Sequence, residues 1–473
     1  MTDTPTFAAA SPETLSENVG QTSCLPVRAA SCRLNDGAGM PREPSGWKPD
    51  PPFQTGSETR RGRDHAPPAG GVLFAVFQNG SKANGGVESL TQIIAGLRGQ
   101  PRVVLTNAET PATARWRDAG AEAVVWNLPH ATGQSWRRGG FARLARRVYS
   151  LLATNWWVWR TLRERRLMAV HCNDPAPFWH VAIGARLAGV PLLWNLRDTK
   201  SDVEGLNVAR YRRRFRWCAR ALVLSREMRE FYARALLLRN GRVHPPIDFI
   251  YSVVDSARMH PLPPEERLAL RNELGIAEGT FAIGFIATFN DKKNQLGYLR
   301  EAVPTLAARY PSAKTFFIGD FETKTNPYAL GCLETAAALR IENRVRFGGF
   351  CPDVQRWYQA CDVVVVPTRK EGLARCMIEA LACGTPVVSF DVASAREILE
   401  AHGCGRVVAQ GDYEGLCGAL AELAVKPALR AELSATGVDL ASRLFSAGVC
   451  LDQYRRLLLL TGQNNSVSLP QTS

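Results

Sequence analysis

From Val72 onward, short apolar blocks alternate with longer segments whose apolar residues fall at helical spacing. The blocks predict strands at Val72–Phe77, Arg102–Thr106, Ala123–Trp126, Ala169–Cys172, Leu192–Asn195 and Ala221–Ser225. A second series follows at Phe281–Ala287, Thr315–Ile318, Val345–Phe347, Val363–Val366, Val387–Phe390 and Gly405–Val408. The blocks are apolar throughout rather than alternating, which predicts strands buried on both faces of parallel sheets. Helices are predicted between them: one opening at Gly86 and running to Leu97, then Phe178–Ala188, Val354–Ala360, Arg375–Cys383, Ser394–Glu400, Asp412–Leu423 and Leu451–Leu460. Two such series predict an α/β chain of two doubly wound domains. Val243–Asp255, with its two prolines, is the expected crossing between them.

The stretch Asp362–Asp391 is one strand, loop, helix and strand. Ligands of such sheets bind outside the carboxyl ends of the strands. Glu371 lies in the loop and Glu379 on the helix, with seven residues between them. Gly372 allows close backbone approach to a ligand. The free N–H groups at the helix start form an anion site. Carboxylates accept hydrogen bonds from hydroxyls, not from phosphates. A phosphate at the helix start, with a carboxylate on either side, suits sugar–diphosphate–ribose, the pattern of a nucleotide sugar.

Glu371-Gly372, followed by Glu379-Ala380-Leu381-Ala382-Cys383-Gly384-Thr385-Pro386-Val387-Val388, resembles the E-x7-E signature of retaining glycosyltransferases of family 4. The resemblance covers about 72–460 and implies the GT-B fold: two Rossmann-like doubly wound domains facing across a cleft. It implies that Glu371 meets the donor sugar and Glu379 the ribose. The backbone N–H groups of Leu373, Ala374 and Arg375 would meet sugar and phosphate oxygens. The loop Thr288-Phe289-Asn290-Asp291-Lys292-Lys293-Asn294 is similar to the family's diphosphate loop. Lys293 matches its lysine, Thr288 stands where an arginine is expected, and Lys292 is the candidate substitute. Gly348-Gly349-Phe350 resembles the loop that lies against the base, and Gly85-Gly86 the first-domain turn that faces the diphosphate. Arg197-Asp198 stands where the family often has His-Asp, and Ser252-Val253-Val254-Asp255 where it has Asn-Gly-Val-Asp. The resemblance implies an enzyme that takes a hexose-type unit from a nucleoside diphosphate sugar, with no cofactor and no metal. Its acceptor would be a lipid-linked or cell-envelope glycan. A sugar-nucleotide 2-epimerase on the same fold and a non-catalytic polyanion-binding protein are the alternatives.

The domains expected are a disordered tail at 1–70, an acceptor-side domain at 71–250 and a nucleotide-sugar domain at 251–446. A helix at 447–461 returns to the first domain, and a tail follows at 462–473. The tail prediction rests on Pro, Gly, Ser, Thr and Arg without periodicity. The net charge of +14 and pI near 9.4 favour acidic partners, but no nucleic-acid-binding pattern is present, so nucleic acid is not an expected partner. Twelve cysteines without a C-x-x-C pair read as reduced thiols, which predicts a cytoplasmic chain. In 136–166, Phe141, Leu144, Val148, Leu151, Leu152 and Val158 recur at helical spacing among arginines, with Trp156, Trp157 and Trp159 clustered. Two readings stay open: a helix or helix pair packed on the sheet with a solvated arginine face, or an interfacial helix on an anionic membrane.

Overall fold

The computed structural model describes residues 70–78, 85–126, 141–197, 208–236 and 244–463. The tail expected at 1–70 lies outside the described residues except for Gly70, and the 462–473 tail except for its first two residues. Asp198 and the residues 136–140 also lie outside them.

Two parallel sheets are present. The first has the order β3-β2-β1-β4-β5-β6-β7. Its strands are β1 (Gly71–Val76), β2 (Arg102–Thr106), β3 (Glu122–Val125), β4 (Leu167–Cys172), β5 (Leu192–Asn195), β6 (Arg220–Val223) and β7 (Ile247–Phe249). The second has the order β10-β9-β8-β11-β12-β13. It comprises β8 (Phe281–Ile286), β9 (Ala313–Ile318), β10 (Val345–Gly349), β11 (Val363–Val366), β12 (Val387–Phe390) and β13 (Gly405–Val408). Every residue of β1 and of β11 is buried, as strands covered by helices on both faces require.

Helices α1 (Gly85–Gly96), α2 (Pro111–Asp118), α3 (Phe141–Glu164), α4 (Phe178–Ala188), α5 (Val208–Phe215) and α6 (Arg226–Leu236) connect the strands of the first sheet. The chain then crosses to the second domain through 250–255 and comes back before its last helix, Ala447–Gln463. The two crossings touch: Val254 N donates to Phe445 O at 2.8 Å, and Val254 bridges to Ser446. The last helix packs into the first domain's core, where Leu451, Tyr454, Leu457 and Leu458 join Val72, Phe74 and Ile94.

Helix α3 shows which of its two faces packs. It is one helix, and Val158 is buried, but Leu144, Val148 and Leu152 face solvent with exposures of 52%, 47% and 64%. Tyr149 and Trp156 join them at 74% and 57%. The buried side mixes small polar residues, Ser150, Thr154, Asn155 and Thr161, with the apolar Val158 and Leu162. Two of these side chains bond to α4. Asn155 Nδ2 donates to Trp179 O at 2.8 Å, Gly184 N donates to Asn155 Oδ1 at 2.8 Å, and Thr154 Oγ1 lies 3.0 Å from His180 Nδ1. Gly184 allows the approach, since a Cβ there would sit 2.4 Å from Asn155 O. Helical periodicity defines two faces but not which one packs. Here, hydrogen-bonded small side chains make the interhelical contact.

Candidate functional site

The carboxyl ends of the second sheet line up in the order β10, β9, β8, β11, and the predicted site residues follow three of them. Gly348, Gly349 and Phe350 end β10, Thr288 to Lys293 follow β8, and Glu371 and Gly372 follow β11. Because β8 and β11 are neighbours, their loops meet. Lys293 Nζ and the buried Glu371 carboxylate form an ion pair. The loop holding Lys293 is rigid for local reasons: the Asn290 side chain accepts from Lys293 N at 3.1 Å, and Asn294 is left-handed with φ of 66°. Asn294 Nδ2 donates to Pro367 O at 2.9 Å, which ties this loop to the end of β11.

Glu379 is buried one turn inside the Arg375–Ala382 helix. Arg375, four residues earlier, faces it as i,i+4 spacing allows. Arg375 Nη2 and Nε donate to Glu379 Oε1 at 2.7 and 3.0 Å. Tyr358 Oη donates to Glu379 Oε2 at 2.9 Å. Burial, and then the nearby carboxylate, push the Tyr358 hydroxyl well above the usual phenol range, so it stays a donor. The helix begins after Ala374, with no side-chain cap and no acid in its first turn, so its N-terminal dipole is uncompensated by its own residues. The Cys376 thiol is pushed up to about 12 by burial and is neutral.

The first domain reaches this site at three places. Arg375 Nη1 donates to Val253 O at 3.0 Å, and Val253 N donates to Ser89 Oγ of α1 at 3.1 Å. Gly85, the first residue of α1, lies against Arg375: a Cβ there would be 2.3 Å from Arg375 Cδ. A Cβ on Gly372 would be 2.3 Å from Arg197 O, just past β5. The close approach that Gly372 permits in this structure is therefore to the other domain's backbone. Further along, Glu397 accepts from Arg226 N and Glu227 N, both at 3.1 Å, at the start of α6, while Glu227 accepts from Ser394 N at 2.7 Å.

The remaining predicted residues are placed as follows. Gly86 is half-buried on α1, and the Leu373 and Ala374 side chains are buried. Thr288 is exposed, and its hydroxyl accepts from Asn290 Nδ2 at 3.1 Å. Lys292 O accepts from Arg369 N at 2.9 Å. Gly348 packs on Ile318, Gly349 is left-handed with φ of 72° beside open space, and Phe350 is exposed. Two contributions went unread in the sequence: the Arg375 side chain and the Tyr358 hydroxyl. The i,i+4 spacing of Arg375 and Glu379 could have revealed the first. Nothing local points to Tyr358, which lies 21 residues before its partner. Among the described residues, no group of three or more His, Cys, Asp or Glu is placed to hold a metal ion.

Residues 280–425 match the family model described as "Glycosyl transferases group 1", and residues 84–246 match "Glycosyl transferase 4-like domain". The chain carries two glycosyltransferase-family domains. It is similar to the lipopolysaccharide core biosynthesis glycosyltransferase LpsE of Rhizobium meliloti, 31% identical over 151 residues, 32% of this chain and 43% of that one. It is also similar to the GDP-mannose-dependent monoacylated alpha-(1-6)-phosphatidylinositol monomannoside mannosyltransferase of Corynebacterium glutamicum, 29% identical over 203 residues, 41% of this chain and 51% of that one. The chain thus spans about half the length of these relatives. Among solved structures, Anabaena HepE in complex with UDP-glucose superposes with a TM-score of 0.68 at 21% identity, covering 83% of this chain and 100% of that one. The fold is GT-B.

Proposed function

We propose that this chain is a retaining glycosyltransferase of family 4, moving a hexose-type unit from a nucleoside diphosphate sugar to a hydroxyl acceptor. The observation that carries the reading is the meeting of Lys293 and Glu371 beside the uncapped start of the Arg375–Ala382 helix. A cation for the leaving diphosphate, an acceptor for sugar hydroxyls and a helix N-terminus for phosphate oxygens are then in one place. Glu371 binds the sugar, Glu379 the ribose, and the N–H groups of Leu373 to Arg375 the sugar and phosphate oxygens. Gly348 to Phe350 lie against the base. The bond from the anomeric carbon to phosphate oxygen breaks as the acceptor oxygen attacks from the same face. The acceptor's proton passes to the departing phosphate. Lys293 and the helix dipole neutralise the diphosphate, so the mechanism calls for no metal.

The acceptor proposed is a lipid-linked or envelope glycan, met at an anionic membrane surface. Two features support it. The relatives' names place them in lipopolysaccharide core biosynthesis and on a phosphatidylinositol mannoside. The exposed stripe Leu144, Val148, Leu152 and Trp156 of α3 is flanked by Arg146 and Arg160, with Arg160 stacked over Trp156 at 5.6 Å. Small polar residues inside and apolar residues outside are the pattern of a helix that meets lipid. Among the described residues, no helix is long and apolar enough to cross a membrane, so the contact proposed is peripheral.

The test is hydrolysis of a panel of UDP-, GDP- and ADP-sugars without acceptor. Slow release of one nucleoside diphosphate, abolished by Glu371→Ala, is expected. No turnover of any donor, together with intact nucleic-acid binding by Glu371→Ala and Lys293→Ala, would replace this reading with a polyanion-binding protein.

A further inference from the structure

We infer that the Arg375 side chain supplies the second cation of the diphosphate site, the charge that Thr288 does not provide. This rests on the donor site proposed above. Arg375 is the first residue of its helix, and its stem lies against Gly85, the first residue of α1. The amino-terminal turns of two helices, one from each domain, therefore converge on one guanidinium. Helix N-termini carry partial positive charge and favour anions, so an arginine there opposes both dipoles. Glu379 offsets part of that cost, but it is a single carboxylate facing a full cation and two dipole ends. A charge that breaks the local rule in this way marks a functional rather than a stabilising position.

The bonding leaves capacity for a ligand. A guanidinium has five N–H donors. Three are used: Nε and Nη2 on Glu379, and Nη1 on Val253. One N–H on each terminal nitrogen remains for phosphate oxygens. Tyr358 holds Glu379, Glu379 holds the guanidinium, and Val253 holds it from the crossing segment. The group is thus oriented before any ligand arrives, with its side chain only 11% exposed. Lys293 is paired with Glu371, in the loop that leads into the same helix. Each glutamate of the site carries its own cation, and the diphosphate would lie between the two pairs.

The experiment compares binding of uridine with UDP, and of guanosine with GDP, by calorimetry. Subtracting nucleoside from diphosphate isolates the phosphate contribution. Arg375→Met should reduce the diphosphate-to-nucleoside affinity ratio by ~10–100-fold, the range of a lost charged hydrogen bond, while nucleoside affinity falls by a smaller factor because Glu379 loses two of the bonds that orient it. Arg375→Lys should retain most of the ratio. Thr288→Arg added to Arg375→Met should restore part of it. Arg375→Gln, which keeps donors toward Val253 without the charge, is the second variant should Arg375→Met fail to fold, and must show the same loss. An unchanged ratio, with nucleoside and diphosphate weakened together, would reduce Arg375 to a structural rivet and overturn the assignment. A wild-type chain that binds neither diphosphate better than its nucleoside would overturn the donor site itself.

Discussion

Lys293 and Glu371 form an ion pair although 78 residues separate them in sequence. The sheet order makes this possible, because β8 and β11 are neighbours and both loops leave their carboxyl ends. Lys293→Ala should lower transfer at least ~10²-fold, comparable to losing an oxyanion-type donor. It also leaves the buried Glu371 carboxylate without its cation, a cost of about 1–3 kcal/mol. The double variant Lys293→Ala/Glu371→Ala should therefore be more stable to denaturant than Lys293→Ala alone, and its loss of turnover less than the product of the single losses. Additive effects in both measurements would mean that the two residues act independently.

The two glutamates should separate in binding. Glu379→Ala should weaken the free nucleoside diphosphate by ~1–3 kcal/mol, the worth of charged hydrogen bonds. Glu371→Ala should leave that affinity nearly unchanged while lowering turnover. Tyr358→Phe removes one of the hydrogen bonds that orient Glu379, and its effect should be smaller, about 1 kcal/mol. Equal effects of Glu371→Ala and Glu379→Ala on nucleotide affinity, read by calorimetry, would refute the division of roles.

Gly372→Ala tests the domain contact. Its Cβ would fall 2.3 Å from the Arg197 carbonyl oxygen, a backbone atom that cannot rotate away. Either the loop or the domain must shift. Nucleotide binding, which uses the second domain, should stay within about threefold, while transfer should fall at least ~10-fold because catalysis tolerates little misplacement. Proportional loss of both would place the damage inside the donor pocket rather than between the domains.

Much of the fold was legible because strands buried on both faces leave continuous apolar runs. The ends of β2, β5, β11, β12 and β13 match the sequence reading residue for residue. The helix Pro427–Leu444 was missed because its buried side is sparse and small, with Leu433, Gly437, Leu440 and Ala441 spread over five turns. The last helix starts at Ala447 rather than Leu451 because its first turn is poor in large apolar residues. The order of the site residues along the chain was readable, but their pairing was not. Lys293 finds Glu371 through sheet order, and Gly372 finds Arg197 through domain packing. Neither leaves a local pattern. The orientation of α3 stayed open for a different reason: Thr154 and Asn155 on its buried face bond to one neighbouring helix, and a hydrophobic pattern alone does not say which face packs.

That exposed face gives a separable prediction. Leu152→Glu and Trp156→Glu alter side chains that stand out from the protein, so folding and donor hydrolysis should be unaffected. Co-sedimentation with vesicles containing anionic lipid should fall sharply, since each change removes buried apolar area and adds a repelled charge. Wild-type chain that fails to sediment with such vesicles at low salt would end the membrane reading, whatever the variants do.

His171 should give the chain an acid-sensitive stability. The imidazole is buried on β4, with Nδ1 2.8 Å from the Tyr454 hydroxyl of the last helix. Desolvation is the main cause that lowers its pKa from 6.5 to about 3, with Arg197 adding to the effect. Between these values the unfolded chain binds a proton that the folded chain refuses, so stability rises with pH across the window. The contribution is fully present above about pH 6.5 and is lost as pH falls toward 3, at ~1.4 kcal/mol per pH unit. His171→Asn keeps a polar group for Tyr454 but cannot titrate. It should be less stable than wild type at pH 7, and the gap should narrow as pH drops from 6.5 to 4.5 in urea unfolding. His180, lowered to about 4 by burial, titrates in the same direction, so the variant's curve will slope but less steeply. Parallel curves for the two proteins would show that His171 is protonated in the fold, and that the contact between β4 and the last helix carries a charge.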